Sequence, residues 1–246
     1  MAIKLTSTLQ IPHNVNLLVY GDSGVGKTTL CGTAPKPLII SAEGGLLSLA
    51  DKDIPVFEIQ TRNDCNEVYD WLDRSKEAKQ YETICLDSLS EIAEVLLASE
   101  KAQTKDARQA YGVMAEEMSI LIRGFRDLPF NTVFTAKTKK VVDEASGAIT
   151  FMPSVPGQML LNNLPYFFDE VVLLALGKTS DKKIFRYLDT VGDRRWIAKD
   201  RSGKLAAQEK PDLTHVFGKI LTVGEPVTAP SKKAVQSTTK TPTVRT

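Results

Sequence analysis

Short apolar runs bounded by turn residues alternate along the chain with longer stretches of helical periodicity. Residues 16–20 (NLLVY) read as a buried strand and 27–34 as the helix that follows it. Further strands are predicted at 37–41 (PLIIS), 55–59 (PVFEI) and 82–87, the last centred on Ile84, Cys85 and Leu86. Residues 64–79 have helical spacing, with Val68, Trp71 and Leu72 on one face. Ser88 can cap a helix running to about Lys101, and Glu91 completes a capping box. Another helix is predicted over 112–127, and a fifth strand over 131–136 (NTVFTA). Runs at 138–143 and 148–152 flank Glu144-Ala-Ser-Gly147 and suggest a hairpin. A short helix at 157–164 precedes the apolar run 168–175, and β-rich runs at 184–190 and 194–198 close the core. This alternation predicts an α/β fold: a mainly parallel central sheet, helices on both faces and a β-rich C-terminal part.

Three stretches follow from the same pattern. Residues 1–15 form an N-terminal arm in which 3–7 (IKLTS) alternate like a strand, suited to adding to a neighbour's sheet edge. Residues 16–224 form the core. From 225 to 246 the chain turns to Pro, Thr, Ser, Ala and Lys without aromatics, a composition too poor in apolar surface to offset its ordering entropy. It reads as a disordered tail, basic through Lys232, Lys233, Lys240 and Arg245.

Composition narrows the class only a little. The 246 residues carry a formal net charge of +1, so any nucleic-acid footprint must be a local patch rather than a global excess. Cys31, Cys65 and Cys85 form no CxxC pair, which argues against a zinc site or disulfide framework and fits a reducing compartment. No run approaches the roughly 18 apolar residues of a membrane helix, and the N-terminal segment lacks the apolar stretch of a signal peptide. The expectation is a cytoplasmic protein with no membrane partner.

The chemistry is concentrated in Gly21-Asp22-Ser23-Gly24-Val25-Gly26-Lys27-Thr28-Thr29, which matches G-x-x-x-x-G-K-[ST] between a predicted strand and helix. The glycines let backbone N–H groups turn inward around phosphate oxygens, and the helix that follows adds its dipole. Lys27 is placed to reach the β- and γ-phosphates, and the Thr28 hydroxyl to hold Mg²⁺. A second acidic partner should end a later apolar strand, and Thr83-Ile-Cys-Leu-Asp87 supplies Asp87. Hydrolysis also needs a group to orient and deprotonate water. Glu43 lies just past the 37–41 strand, at the carboxyl edge where open α/β sheets bind ligands. No Asp-x-x-Gly follows Asp87 and no Asn-Lys-x-Asp ends a later strand, so ATP is favoured over GTP.

GDSGVGKTTL, SAEGGLLSL, LDSLSEI, the Tyr111-Gly112 pair, Val155-Pro-Gly157 and DTVGDRRWIAKDRSG together resemble the RecA-like P-loop ATPase core. More narrowly they resemble the phage-encoded nucleotide-binding proteins described as single-strand annealing ATPases. The resemblance spans roughly residues 12–222. It implies ATP and Mg²⁺ as cofactors, assembly into a ring or filament with ATP between protomers, and single-stranded DNA as a partner. The basic 225–246 tail is a candidate either for recruiting a single-strand DNA-binding protein or for touching DNA directly, and a phage origin would make a bacterial host's cytoplasm the location. The resemblance also implies that Lys199 and Arg201 reach a neighbour's ATP, as a Lys-x-Arg segment does in that family. Lys105 and Arg108, and Lys137, Lys139 and Lys140, fall where the family carries DNA loops; phosphate contacts there would be strongly salt-sensitive. Phe151 and Tyr111 border those segments as stacking candidates. One departure is Ala136-Lys137, which ends the fifth strand where RecA carries a glutamine that senses the γ-phosphate. Two other functions fit the same phosphate loop: a nucleotide-gated protein-interaction module, such as a loader or regulator, and a small helicase-like motor.

Overall fold

The computed structural model describes residues 14–144, 146–193 and 195–222. The strand expected at 3–7 and the tail at 225–246 lie outside them.

β1 (Asn16–Gly21) is buried along its whole length, because it lies inside the sheet with helices over both faces. Period-two alternation sends its side chains into two separate cores. Leu18 and Tyr20 join Leu38, Ile40, Ile84, Leu86 and Phe134 on one side. Leu17 and Val19 join Ile39, Cys85, Val133 and Val172 on the other.

The first core is closed by α2 (Arg62–Arg74), α3 (Leu89–Gln103) and α4 (Ala107–Asp127). α2 starts two residues before its predicted position because Thr61 and Asp64 form a capping box across Arg62 and Asn63. α4 starts earlier still, capped by Asp106. Gly112, read as a helix start, sits inside it with open space where a side chain would be. Met114, Met118, Ile122 and Phe125 recur at helical spacing and fill the interior.

The second core is covered by α1 (Lys27–Cys31) and by α6 (Leu213–Leu221), a helix the sequence reading did not contain. Asp212 caps α6, while Leu213, Val216 and Phe217 are buried. Its start is tied to the end of α1, where Leu213 N donates to Thr33 Oγ1 at 2.9 Å and Thr214 Oγ1 to Thr33 O at 2.7 Å.

The remaining strands are β2 (Pro37–Ser41), β3 (Val56–Glu58), β4 (Thr83–Asp87), β5 (Asn131–Val142), β6 (Ile149–Ser154), β7 (Glu170–Lys178), β8 (Ile184–Asp189), β9 (Lys199–Asp200) and β10 (Gln208–Glu209). A short α5 (Gln158–Asn163) precedes β7. The sheet order is β10-β8-β7-β1-β5-β4-β2-β3, with β6 on β5 and β9 on β7. From β3 to β7 all pairings along this order are parallel; β8, β10, β6 and β9 attach antiparallel. This is the expected α/β arrangement, a mainly parallel central sheet with a β-rich C-terminal part. β5 inserts between β1 and β4, so the phosphate-loop strand and the Asp87 strand are not neighbours.

β5 also joins two elements that the sequence reading kept apart. Thr132–Ala136 are buried, paired with β1 along their length and with β4 as far as Phe134; Lys137 still pairs with Gly21, and from Thr138 onward the strand emerges and pairs only with β6. Among the described residues, no helix is long and apolar enough to cross a membrane.

Candidate nucleotide site

β1 ends at Gly21, pressed so closely on β7 that a Cβ there would lie 2.7 Å from Leu174 O. The chain then leaves the carboxyl edge of the sheet as the loop 22–26. Gly24 (φ 74°) and Gly26 (φ 105°) hold the left-handed conformations that this turn requires, which side chains rarely adopt. Val25 is buried beneath the loop and anchors it in the α1-side core. Lys27 and Thr28 open α1. Lys27 Nζ donates to Gly21 O at 2.9 Å and to Asp22 O at 3.0 Å, so the ammonium lies within the curl of the loop. Burial lowers its pKa, opposed by the nearby carboxylates of Glu43 and Asp87.

Asp87 ends β4 and is buried. Its two oxygens have separate donors: Thr28 Oγ1 at 2.5 Å and Thr135 Oγ1 of β5 at 2.5 Å. Ser88 follows across a cis peptide bond and caps α3, its Oγ accepting from Glu91 N at 3.4 Å. The same hydroxyl donates to Glu43 Oε1 at 2.5 Å, which fixes the loop carboxylate beside Asp87's strand end. Only half of the expected capping box forms. The Glu91 carboxylate turns instead to Lys137 Nζ, at 2.7 Å. Lys137 Nζ also lies 3.8 Å from Glu43 Oε1.

Lys27, Thr28, Glu43, Asp87 and Lys137 line one cleft of about 610 Å³, a size that accepts a nucleotide's phosphate chain. Its chemistry fits magnesium triphosphate. A hydroxyl and a carboxylate in direct contact, Thr28 and Asp87, form the donor pair that Mg²⁺ with retained waters uses. Gly24 leaves open space where a Cβ would stand. Asp22, Ser23, Gly26 and Thr29 line the cleft as well.

The other sequence candidates fall elsewhere. Lys199 and Arg201 lie at the opposite edge of the sheet from the phosphate loop. β9 is paired with the start of β7, which is level with Leu17 and Leu18 rather than with Gly21. Lys199 Nζ donates to Pro165 O and Phe168 O and is half-buried. Arg201 is exposed, with Nη1 on Asp169 Oδ1 at 2.6 Å. Lys139 and Lys140 stand exposed on the β5–β6 hairpin beyond Lys137. Lys105 and Arg108 are exposed at the α3–α4 junction. Tyr111, close by, lies under Lys101 Nζ at 5.1 Å, and a Cβ on Gly157, just past β6, would be 3.5 Å from the Tyr111 ring. Tyr111, after the first segment, thus packs beside Gly157, at the end of the second. Phe151 and Tyr111 are each 38% exposed, so both rings keep accessible faces.

Three features of the cleft had no signal in the sequence read by motif: Thr135 as Asp87's second donor, Ser88 as Glu43's holder, and Arg186. Arg186, on β8, lines the cleft and donates from Nε to Val25 O at 2.7 Å. Ser88 and Glu43 both follow strand ends that are adjacent in the sheet, a relation that strand order alone predicts.

Comparison with curated proteins finds no match. Among solved structures, the chain is similar to a KaiC-like protein from the hyperthermophilic archaeon Pyrococcus horikoshii OT3, at 14% identity and a TM-score of 0.41. That match covers 71% of this chain and 76% of that one. A family model described as an AAA domain matches residues 13–202, a span from just before β1 to just past β9 that contains every residue of the cleft. By that match the chain belongs to the AAA domain family.

Proposed function

We propose that this protein is an ATPase that binds single-stranded DNA under control of ATP·Mg²⁺ and promotes single-strand annealing, assembling into a ring or filament with nucleotide at protomer interfaces. Lys27 holds the phosphate chain and Thr28 and Asp87 hold the metal, which when bound neutralises charge on the transferring phosphoryl group. Glu43, oriented by Ser88, takes the proton of the attacking water. Arg201 of one protomer completes the site of the next.

The observation that supports the DNA reading is the course of β5. Its Lys137 lies in the phosphate cleft against Glu91 and Glu43, and two residues later the same strand carries Lys139 and Lys140 into open solvent. A change in what Lys137 contacts is therefore transmitted along one strand to a basic hairpin suited to phosphate backbones.

The test is fluorescence anisotropy of a labelled oligonucleotide, titrated with Mg²⁺ plus ATP, a non-hydrolysable analogue, ADP or no nucleotide, at two salt concentrations. Tight binding should require the triphosphate, weaken with salt, and disappear in Lys27→Ala. The double variant Lys139→Ala/Lys140→Ala should lose DNA but still bind ATP. Absence of DNA binding in every condition, with ATP binding intact, would overturn this reading.

That outcome would favour a nucleotide-gated protein-interaction module. One feature supports it independently: a groove of about 730 Å³ between α4 and α5 exposes Ile120, Met159 and Tyr166 beside Arg123 and Arg126.

A further inference from the structure

Arg186 owes its place to the β7–β8 hairpin. β7 runs on past the end of β1: Tyr20 is level with Leu173, yet β7 continues to Lys178. β8 returns beside it with Arg186 opposite Leu176, so the hairpin overhangs the phosphate loop. From there the side chain comes down onto the loop. Its Nε donates to Val25 O at 2.7 Å, and a Cβ on Gly26 would lie 3.2 Å from Nε and 3.5 Å from Cδ. These contacts set the guanidinium plane without using its outer edge.

A guanidinium carries five N–H donors and remains charged at any ordinary pH. One donor is taken by Val25. Among the described residues, no carboxylate lies within ion-pair distance of the other four, whereas Lys137 in the same cleft is paired with Glu91 and Lys27 is held by two carbonyls. A cation held at Nε, exposed at the lining of a cleft already built for phosphate, matches the geometry by which arginine takes phosphate oxygens two at a time. A residue kept only to brace the loop would need the Nε contact and nothing more.

We propose that Arg186 is a nucleotide-contacting residue, gripping the phosphate chain from the same polypeptide that carries the phosphate loop. This rests on the nucleotide reading of the cleft and extends it. This second cation, beside Lys27, is supplied in cis, so nucleotide affinity is a property of the single chain. Arg201, at the far edge of the sheet, is left with a role only in a neighbour's site.

The experiment is equilibrium binding of a fluorescent ATP analogue to the full chain, for wild type, Arg186→Ala, Arg186→Gln and Arg186→Lys, at low and high salt. Melting temperature without nucleotide is measured alongside. The neutral variants should bind about tenfold or more weakly, the cost of a lost hydrogen bond to a charged group. Their binding should also depend less on salt. Arg186→Lys should recover part of the affinity and the salt dependence, with melting temperatures close to wild type throughout. Unchanged affinity in the neutral variants would overturn the proposal. So would equal weakening in all three variants with a lowered melting temperature, because that is the signature of a loop brace. Lys27→Ala serves as the separate control. If wild type itself shows no binding that Lys27→Ala abolishes, the nucleotide reading fails, and this proposal with it.

Discussion

Ser88 Oγ donates to Glu43 Oε1 at 2.5 Å, joining the residue after β4 to the loop after β2. Ser41 pairs with Asp87 in the sheet, so the two chain segments leave adjacent strands side by side. The hydroxyl holds one oxygen of a carboxylate that lines the cleft. Ser88→Ala should therefore slow ATP hydrolysis by about tenfold, since a general base that loses its orientation loses part of a contribution worth about 10²–10⁴. The KM for ATP should hardly move, because Lys27 and Thr28 remain. Glu43→Gln should be slower still. Steady-state hydrolysis by both variants gives the answer, and a rise in KM without a fall in kcat would remove Glu43 from the chemistry. Some stability should be lost too, about 1 kcal/mol, because Ser88 also caps α3.

Glu170 predicts a pH dependence. It is buried at the start of β7, and burial pushes its carboxyl up to about 8, with the adjacent Asp200 carboxylate adding to the effect. Its ordinary value in the unfolded chain is 4.5. Between those values the folded protein holds a proton that the unfolded chain has released. Stability from this group is thus complete below pH 4.5 and falls as pH rises towards 8, the reverse of the usual carboxylate. Glu170→Gln should flatten that part of the profile. Denaturant unfolding at pH 5, 7 and 9 measures it, and identical slopes in wild type and variant would show that Glu170 is ionised in the folded protein.

The legible part of this molecule was the part encoded locally. The phosphate loop is contiguous, and Asp87 and Glu43 each follow an apolar strand at the edge where ligands gather. The rest of the site depends on strand register. Thr135 reaches Asp87 only because β5 inserts beside β4, and Arg186 reaches the loop only because β7 outruns β1. Neither relation appears as spacing along the chain. β5 hid for another reason: a strand that is buried for half its length and exposed for the rest shows two hydrophobic patterns, and these read as two elements. α6 did leave a signal, Asp212 before Leu213, Val216 and Phe217, but the helix is short and stands just before the compositional change of the tail.

Lys199 and Arg201 make the last prediction, because the fold assigns the pair different work. Lys199 Nζ satisfies the carbonyls of Pro165 and Phe168, and Lys199→Met would leave both without that donor. The expected cost is about 1–3 kcal/mol of stability, read by denaturant unfolding. Arg201 spans an exposed ion pair with Asp169, worth little to the fold, so Arg201→Ala should change stability by less than about 1 kcal/mol. Hydrolysis should respond in the opposite order. If Arg201 reaches a neighbour's nucleotide, Arg201→Ala abolishes the rise in specific ATPase activity with protein concentration and leaves the dilute rate alone. Mixing it with the otherwise inactive Glu43→Gln should then restore activity, because an Arg201→Ala subunit keeps its own Glu43 and borrows the arginine next door. Failure of the mixture, or a dilute monomer as fast as the assembled protein, would place the whole site within one chain, with Arg186 as its arginine.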